Sequence, residues 1–366
     1  MRVGYVLRYW PALTETFVAR EIGALRRRGV QVEVVAIGTR ADGALAPPSD
    51  APVLKVPRGL GAARLLRGIP DVARPPTRWL LRHLRPKDAA RVLWVAAQAR
   101  RRGWDRIHAH FAGEAAVWAR GAAVLSGLPY TVTVHATDLF RPGPWLPEVL
   151  QDAQPVVTVC DHHAEWIAEH YGVGARVVRC GVDPASFPSA APDRPGAGWL
   201  SVARDVDKKG LDDLVAAVAG TGVPLRLVSD AHRLSRDGVE VGLVAPEEIP
   251  QLLTRAMALV LPCRVAQDGD RDGVPLALME AMAAGLPVVT TAVAGIPELV
   301  DSRVGWIAPH RDPIGLRRVL AEVAADPAER VRRGQAGRER ITTDGWTVAE
   351  QADGLLSAWR AASVAT

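Results

Sequence analysis

Asp272 and Glu280 stand on either side of a loop-to-helix junction in residues 264–300, RVAQDGDRDGVPLALMEAMAAGLPVVTTAVAGIPELV, where the chain concentrates its chemistry. Asp268 to Gly273 form a polar, glycine-punctuated loop, and Pro275 suits a first helical turn because its missing N–H would be unpaired there anyway. Leu276 to Ala284 is apolar around nearly its whole circumference, the pattern of a buried helix. Glu280 is the exception. A lone carboxylate in such a helix is costly to bury without a donor, and the unpaired N–H groups of the first turn point toward any anion. One ligand could thus place phosphate near the Gly273 end and hydroxyls beside Glu280. Leu286 to Thr291 reads as a buried strand, and Ala294 to Pro297 opens a second loop-to-helix junction with Glu298 beside it. Two such junctions after successive strands are what the edge of a doubly wound parallel sheet supplies.

Further groups lie outside this stretch. Arg204 and Lys209 flank a strand-to-helix loop, and a guanidinium fork beside a point charge suits a leaving group that gains negative charge; two solvated loop cations are the plainer reading. His135 closes a β-branched strand from Tyr130, with Asp138 in the following turn; a histidine there is structural more often than functional without other evidence. Alternation puts His108 and His110 on one strand face, which would suit a metal, but no third ligand with recognisable spacing is near. Thr14 is placed to cap a helix from about Thr14 to Arg28.

The 264–300 stretch resembles the signature of the retaining glycosyltransferases of family four, enzymes of the two-domain GT-B fold, in which a glutamate, seven residues and a second glutamate precede an Ala-Met-Ala-Xaa-Gly-Xaa-Pro-Val-Val run. Asp272 stands where the first glutamate is usual. Arg204 to Gly210 is similar to the family's Gly-Arg-Leu and Lys-Lys-Gly element, with Ala203 in place of the glycine, and Thr14-Glu15-Thr16-Phe17 resembles the first-helix start of one branch. The resemblance implies that Glu280 holds ribose hydroxyls, Asp272 a donor-sugar hydroxyl, and the amides of Gly273 and Val274 the phosphates. Arg204 and Lys209 would carry the diphosphate, and Gly242, in the Val241–Ala245 segment, would lie where relatives contact the base through main-chain atoms. His135 would face the donor sugar, Asp138 would support it or touch the acceptor, and Thr14 and Glu15 would lie on the acceptor side. No cofactor and no catalytic metal are implied.

The chain's 366 residues are enough for two ordinary domains, and 48% hydrophobic with 23% charged residues describes a globular protein. Apolar runs fall well short of the roughly 20 residues of a membrane helix. Cys160, Cys180 and Cys263 are too few and too scattered for a disulfide framework or a zinc motif. A cytoplasmic protein is the simplest expectation. Residues 1–183 carry 25 basic against 16 acidic side chains, a net of +9, and the remainder 20 against 24, a net of −4. Residues 58–106 alone hold 13 basic against 3 acidic residues, with Trp79, Trp94 and Trp104 interleaved. A solvated arginine-rich face and peripheral docking to an anionic membrane surface both fit; nucleic acid is disfavoured because no recognised motif accompanies the arginines.

The expected architecture is α/β: two Rossmann-like, doubly wound domains facing a central cleft, with a terminal helix crossing back. Their expected bounds are 1–183 on the acceptor side, 198–345 for the nucleotide sugar, and a linker over 184–197, where Pro184, Pro188, Pro192 and Pro195 with Gly196 and Gly198 stop regular structure. The terminal helix is expected within 346–366. Helices are expected at 60–68 and 87–102, and the short stretch between Ser229 and Val239 leaves no room for the full helix that relatives have there. The implied activity is transfer of a sugar from a nucleoside-diphosphate sugar to an acceptor hydroxyl, on a saccharide, a lipid-linked saccharide or a small natural product. A GT-B epimerase, a phosphorylase and a non-catalytic sugar-nucleotide-binding or membrane-docking protein are the alternatives.

Overall fold

The computed structural model describes residues 1–12, 15–38, 50–56, 84–194 and 197–364, so Thr14, Trp79 and the helix expected at 60–68 lie outside the described residues. The chain divides into two units.

The first unit comprises Met1–Val159, Ala164–Val178 and Ala352–Thr366. Its elements in chain order are β1 (Arg2–Tyr9), α1 (Thr16–Arg27), β2 (Gln31–Gly38), β3 (Val53–Lys55), α2 (Pro86–Arg102), β4 (Arg106–His110), α3 (Glu114–Ser126), β5 (Tyr130–Val134), α4 (Ala136–Phe140), α5 (Leu146–Gln151), β6 (Val156–Thr158), α6 (Asp161–Tyr171, whose residues up to His163 fall in the second unit) and β7 (Ala175–Val177). The seven strands are parallel in the order β3-β2-β1-β4-β5-β6-β7. Val3, Val6, Ile107, Val132 and Val134 are buried, as parallel strands covered on both faces require. The strand order reverses between β1 and β4, so the loops at their carboxyl ends part company there.

The second unit comprises Cys160–His163 and Arg179–Gln351. It runs β8 (Trp199–Val202), α7 (Leu211–Val218), β9 (Leu225–Val228), β10 (Val239–Gly242), α8 (Ile249–Arg255), β11 (Ala258–Leu261), α9 (Leu276–Ala283), β12 (Val288–Thr291), α10 (Ile296–Leu299), β13 (Gly305–Ala308), α11 (Pro313–Ala325) and α12 (Pro327–Thr343); α13 (Val348–Val364) ends the described chain. Its six strands are parallel in the order β10-β9-β8-β11-β12-β13. Helix α9 is the buried helix its composition demanded: Leu278, Met279, Ala281 and Met282 have no exposed surface. Burying each Leu or Met contributes about 1.5–3 kcal/mol. Pro275 is the residue before its first turn, not within it. Between β9 and β10 only the 3-10 turn His232–Leu234 stands, in keeping with the short stretch between Ser229 and Val239.

Three expectations change. The proline-rich segment expected to link the domains belongs to the second unit: Phe187 is buried in its core, the Ala190 N–H donates to the Ala284 carbonyl at 2.7 Å, and Arg330 Nε donates to the Pro192 carbonyl at 2.8 Å. Proline denies such a segment a ladder or a helix, yet leaves it free to pack. The chain leaves the first unit at Val178, earlier than Asp183, and from Ala352 onward α13 belongs to the first unit, where Trp359 is fully buried and its carbonyl accepts from Arg106 Nη2 at 2.9 Å. Trp104, one of the tryptophans interleaved in the arginine-rich 58–106 stretch for which a solvated face is one reading, is buried and donates from Nε1 to Glu33 at 2.6 Å, while Trp94 packs against the core. Among the described residues no helix is long and apolar enough to cross a membrane.

Candidate active site

In the second unit the strand order reverses between β8 and β11. A crevice for a ligand is expected outside the carboxyl ends of such a pair. The loop after β8 ends in the 3-10 turn Asp207–Lys209, and the long loop after β11 runs into α9. Arg264 clamps the two loops together. Its N–H donates to the Lys208 carbonyl at 2.9 Å, its Nε to the Asp207 carbonyl at 2.9 Å, and its Nη1 meets Asp213 at 2.7 Å. Gln267 N–H adds a bond to the Asp207 carboxylate at 3.0 Å.

This clamp brings two lysines onto two aspartates. Lys208 Nζ lies 3.1 Å from Asp270 and 3.4 Å from Asp272, and Lys209 Nζ lies 2.7 Å from Asp272. Burial works against the Lys209 charge, but Asp272 outweighs it and the ammonium pKa is raised; Arg204 pulls the other way. Burial likewise opposes the Asp272 charge, and Lys209 with Lys208 more than compensates, so this carboxyl ionises below its ordinary range. Burial, followed by the Asp272 charge, pushes the Cys263 thiol well up, so Cys263 is a neutral donor to Asp272 at 3.6 Å rather than a nucleophile. Four charges thus cancel in pairs, and exposed Arg204 adds positive charge near the cluster.

One glycine holds the loops this close, and a second makes room for a histidine ring from α6. Gly210 has φ +64, and a Cβ there would sit 2.1 Å from the Pro262 carbonyl oxygen. Gly210→Ala combines left-handed strain of roughly 1–2 kcal/mol with that collision, so a loss of more than about 2 kcal/mol is expected in denaturant melts, together with loss of activity. A Cβ on Gly273 would meet the His163 ring at 2.6 Å. Fully buried His163 is driven down to about 3, by burial first and then by His162 and Arg271, with Asp272 opposing. Glu280 is half-buried on α9, which begins just beyond Gly273 and Val274. Gly242 ends the edge strand β10, two strands away from β8.

The first unit holds its own cluster at the carboxyl ends of β4 and β5. His110 Nδ1 lies 3.2 Å from His135 Nε2, and His110 Nε2 lies 2.8 Å from Glu21 Oε1. The Asp138 carboxylate accepts the His135 N–H at 2.9 Å; burial lifts this carboxyl to about 7 although backbone donors at His135 and Ala112 oppose the shift. Glu21 is the third potential metal ligand that spacing did not reveal: ligand atoms of Glu21, His108 and His110 all lie within 4.8 Å of one another. Glu15, expected beside a Thr14 cap, itself takes the position before α1 and caps nothing with its side chain.

Two family profiles match: "Glycosyltransferase Family 4" over residues 14–186 and "Glycosyl transferases group 1" over residues 196–340. A putative colanic acid biosynthesis glycosyltransferase, WcaL of Salmonella typhimurium, is 30% identical over 88% of this chain and 90% of its own. The chain belongs to glycosyltransferase family four. The architecture of this family-four glycosyltransferase is GT-B, shared with Anabaena Alr3699/HepE in complex with UDP and glucose (TM-score 0.76, 16% identity, 99% and 100% of the two chains). Sucrose-phosphate synthase from Thermosynechococcus elongatus shares it as well (TM-score 0.74, 16% identity, all of both chains).

The family signature pointed to Asp272, Gly273, Glu280 and Lys209, and the first and last of these are in direct contact. Reading the sequence missed Lys208, Asp270 and Arg264 as parts of the same cluster. The signal was present in the Lys-Lys doublet and in the aspartates at alternate positions of DGDRD. Glu21 carried no local signal, because its partner His110 lies 89 residues away.

Proposed function

We propose that this glycosyltransferase moves a sugar from a nucleoside-diphosphate sugar to an acceptor hydroxyl with retention of the anomeric configuration. The observation that carries the proposal is the Lys208–Lys209–Asp270–Asp272 cluster at the reversal of strand order, beside the start of a buried helix bearing Glu280. Lys209 and Arg204 would stabilise the departing diphosphate, where negative charge develops and prearranged donors act most strongly. Lys208 joins them as a second ammonium held in place by Asp270. The Gly273 and Val274 amides would receive the phosphates, and Glu280 the ribose hydroxyls. Asp272 would orient both lysines and offer its remaining lone pairs to a donor-sugar hydroxyl. Gly242 is proposed to meet the base through main-chain atoms. In the first unit, His135 is proposed to act on the donor sugar, Asp138 to hold it in place, and Thr14 and Glu15 to serve the acceptor.

None of the described side chains in the second-unit cluster is an activated nucleophile. The mechanism proposed is same-face attack: the acceptor oxygen bonds to the anomeric carbon as the carbon–phosphate-oxygen bond breaks, and the acceptor proton passes to the leaving phosphate. No catalytic metal is needed, because ammonium and guanidinium groups supply the charge. The acceptor is proposed to be a saccharide, lipid-linked or not, or a small polyhydroxylated molecule.

A panel of α-linked nucleoside-diphosphate sugars, incubated with candidate acceptors, tests this by proton NMR of the product. An α-glycoside is expected. A β-glycoside, or donor turnover into a free epimer with no acceptor consumed, would contradict the proposal.

A further inference from the structure

Four side chains of the first unit form a hydrogen-bonded line that ends on His135. Tyr5 Oη donates to Glu21 Oε1 at 2.8 Å, the same oxygen lies 2.8 Å from His110 Nε2, and His110 Nδ1 lies 3.2 Å from His135 Nε2. They come from β1, α1, β4 and the residue that follows β5. Tyr5 is fully buried, Glu21 and His110 nearly so, and His135 is 9% exposed. Phe17 and Phe111 pack on the His135 ring at 5.0 and 4.5 Å between centroids, and Tyr5 and His108 flank His110 at 5.9 and 5.0 Å.

With Glu21 ionised and His110 carrying a single proton, the contact geometry leaves one order of protons along this line. Tyr5 Oη is the donor in its 2.8 Å bond to Glu21 Oε1, so the phenol's one proton points at that oxygen. A carboxylate only accepts, so the proton between Glu21 and His110 belongs to His110 Nε2. A neutral imidazole protonated there has a bare Nδ1. That nitrogen faces His135 Nε2, which must then be the donor. We propose that Glu21, acting through His110, fixes His135 as its Nε2–H tautomer and so makes Nδ1 the basic ring nitrogen that the enzyme can use. Glu21 and His110 are positioning residues; neither need touch a substrate. The inference rests on the reading of His135 as a group acting on the donor sugar.

A metal held by Glu21, His108 and His110 is the competing use of the same atoms. The contact distances favour hydrogen bonds: His108 Nδ1 is 2.7 Å from Thr131 Oγ1, and the 2.8 Å between His110 Nε2 and Glu21 is shorter than the roughly 3.3 Å edge of a tetrahedral site with ligand bonds of about 2.0 Å.

Long-range proton–nitrogen correlation NMR on the full chain labelled with 15N-histidine reads the tautomers directly, with His135 and His110 assigned from His135→Gln and His110→Gln. The wild type should show both rings protonated on Nε2 alone. An Nδ1–H His135, a doubly protonated His110, or stoichiometric zinc in the purified protein would overturn the inference. Glu21→Met removes the acceptor that sets the order, so His135 should become a tautomer mixture and kcat should fall at least tenfold with donor KM changed less than about twofold. Unchanged tautomers and unchanged kcat in that variant would equally overturn it, and if the variant does not fold the wild-type spectrum still decides. His135→Ala separates the two claims. If it retains full turnover while the wild-type spectrum is as expected, the role given to His135 fails and the tautomer assignment stands; if it abolishes turnover while the spectrum shows Nδ1–H, the reverse holds.

Discussion

Lys209→Met should lower kcat by about 10²–10³-fold, the loss typical of removing one donor that stabilises charge developing in a transition state, or about 3–4 kcal/mol. The reason lies in the charge arrangement. Lys209 shares Asp272 with Lys208, so the cluster is neutral in pairs without a ligand, and a diphosphate must be met by ammonium protons that Asp272 leaves unoccupied. Methionine keeps the length of the side chain and much of its apolar packing while deleting the charge. Asp272 would still be held by Lys208 at 3.4 Å, so its carboxylate is not stranded and the fold should survive. Turnover of a nucleotide-sugar donor, together with a thermal melt close to that of the wild type, checks both halves of the expectation. Retention of full kcat would remove Lys209 from the machinery.

The second large effect is on stability, and its sign follows from His163. The folded chain holds this imidazole neutral down to about 3, because it is buried and faces His162 and Arg271, whereas an unfolded histidine titrates near 6.5. Between those values the unfolded chain binds a proton that the folded chain refuses. Stability must therefore rise with pH across the window: the contribution is complete above about 6.5 and is lost as pH falls toward 3. By linkage the whole window is worth on the order of 5 kcal/mol, and about 3 kcal/mol of it has gone by pH 4.5. Denaturant melts at pH 7 and pH 4.5 on wild type and His163→Gln isolate it: the wild type's advantage over the variant should shrink by about that amount at the lower pH. Equal pH slopes in the two proteins would show that His163 does not carry the effect. Asp138 acts with the opposite sign in the first unit, since a carboxyl lifted to about 7 makes its contribution below its unfolded value and loses it as pH rises; the comparison with His163→Gln cancels that background.

The parts of the structure that were legible in the sequence are those coded by contiguous residues. Valine-rich strands separated by helical stretches predict a doubly wound sheet, and the composition of 276–284 predicts a helix buried on all sides. Glycine and proline positions mark the loops that carry Asp272, Gly273 and Lys209. What escaped was set by long-range pairing. The three-residue edge strand β3 takes its register from β2 rather than from any pattern of its own. Helix α3 is largely alanine and valine with almost no polar face, so no period distinguishes it from a strand. The proline-rich 184–194 segment has the composition of a linker but packs on the second unit, because proline excludes regular structure without excluding burial. Within the site, local motifs named single members of clusters whose other halves come from distant loops. Arg264 lies 57 residues from the Asp207 it grips, and Glu21 lies 89 residues from His110. No spacing rule connects such pairs until the strand order is known.

The central claim is that the paired lysines and aspartates at the β8–β11 reversal bind a nucleoside diphosphate. Titration calorimetry of a panel of nucleoside diphosphates into the wild type and Lys209→Met tests it most directly. At least one diphosphate should bind the wild type, and its affinity for the variant should be at least tenfold weaker. Equal affinity for both proteins, or no heat from any of the panel, would contradict the account.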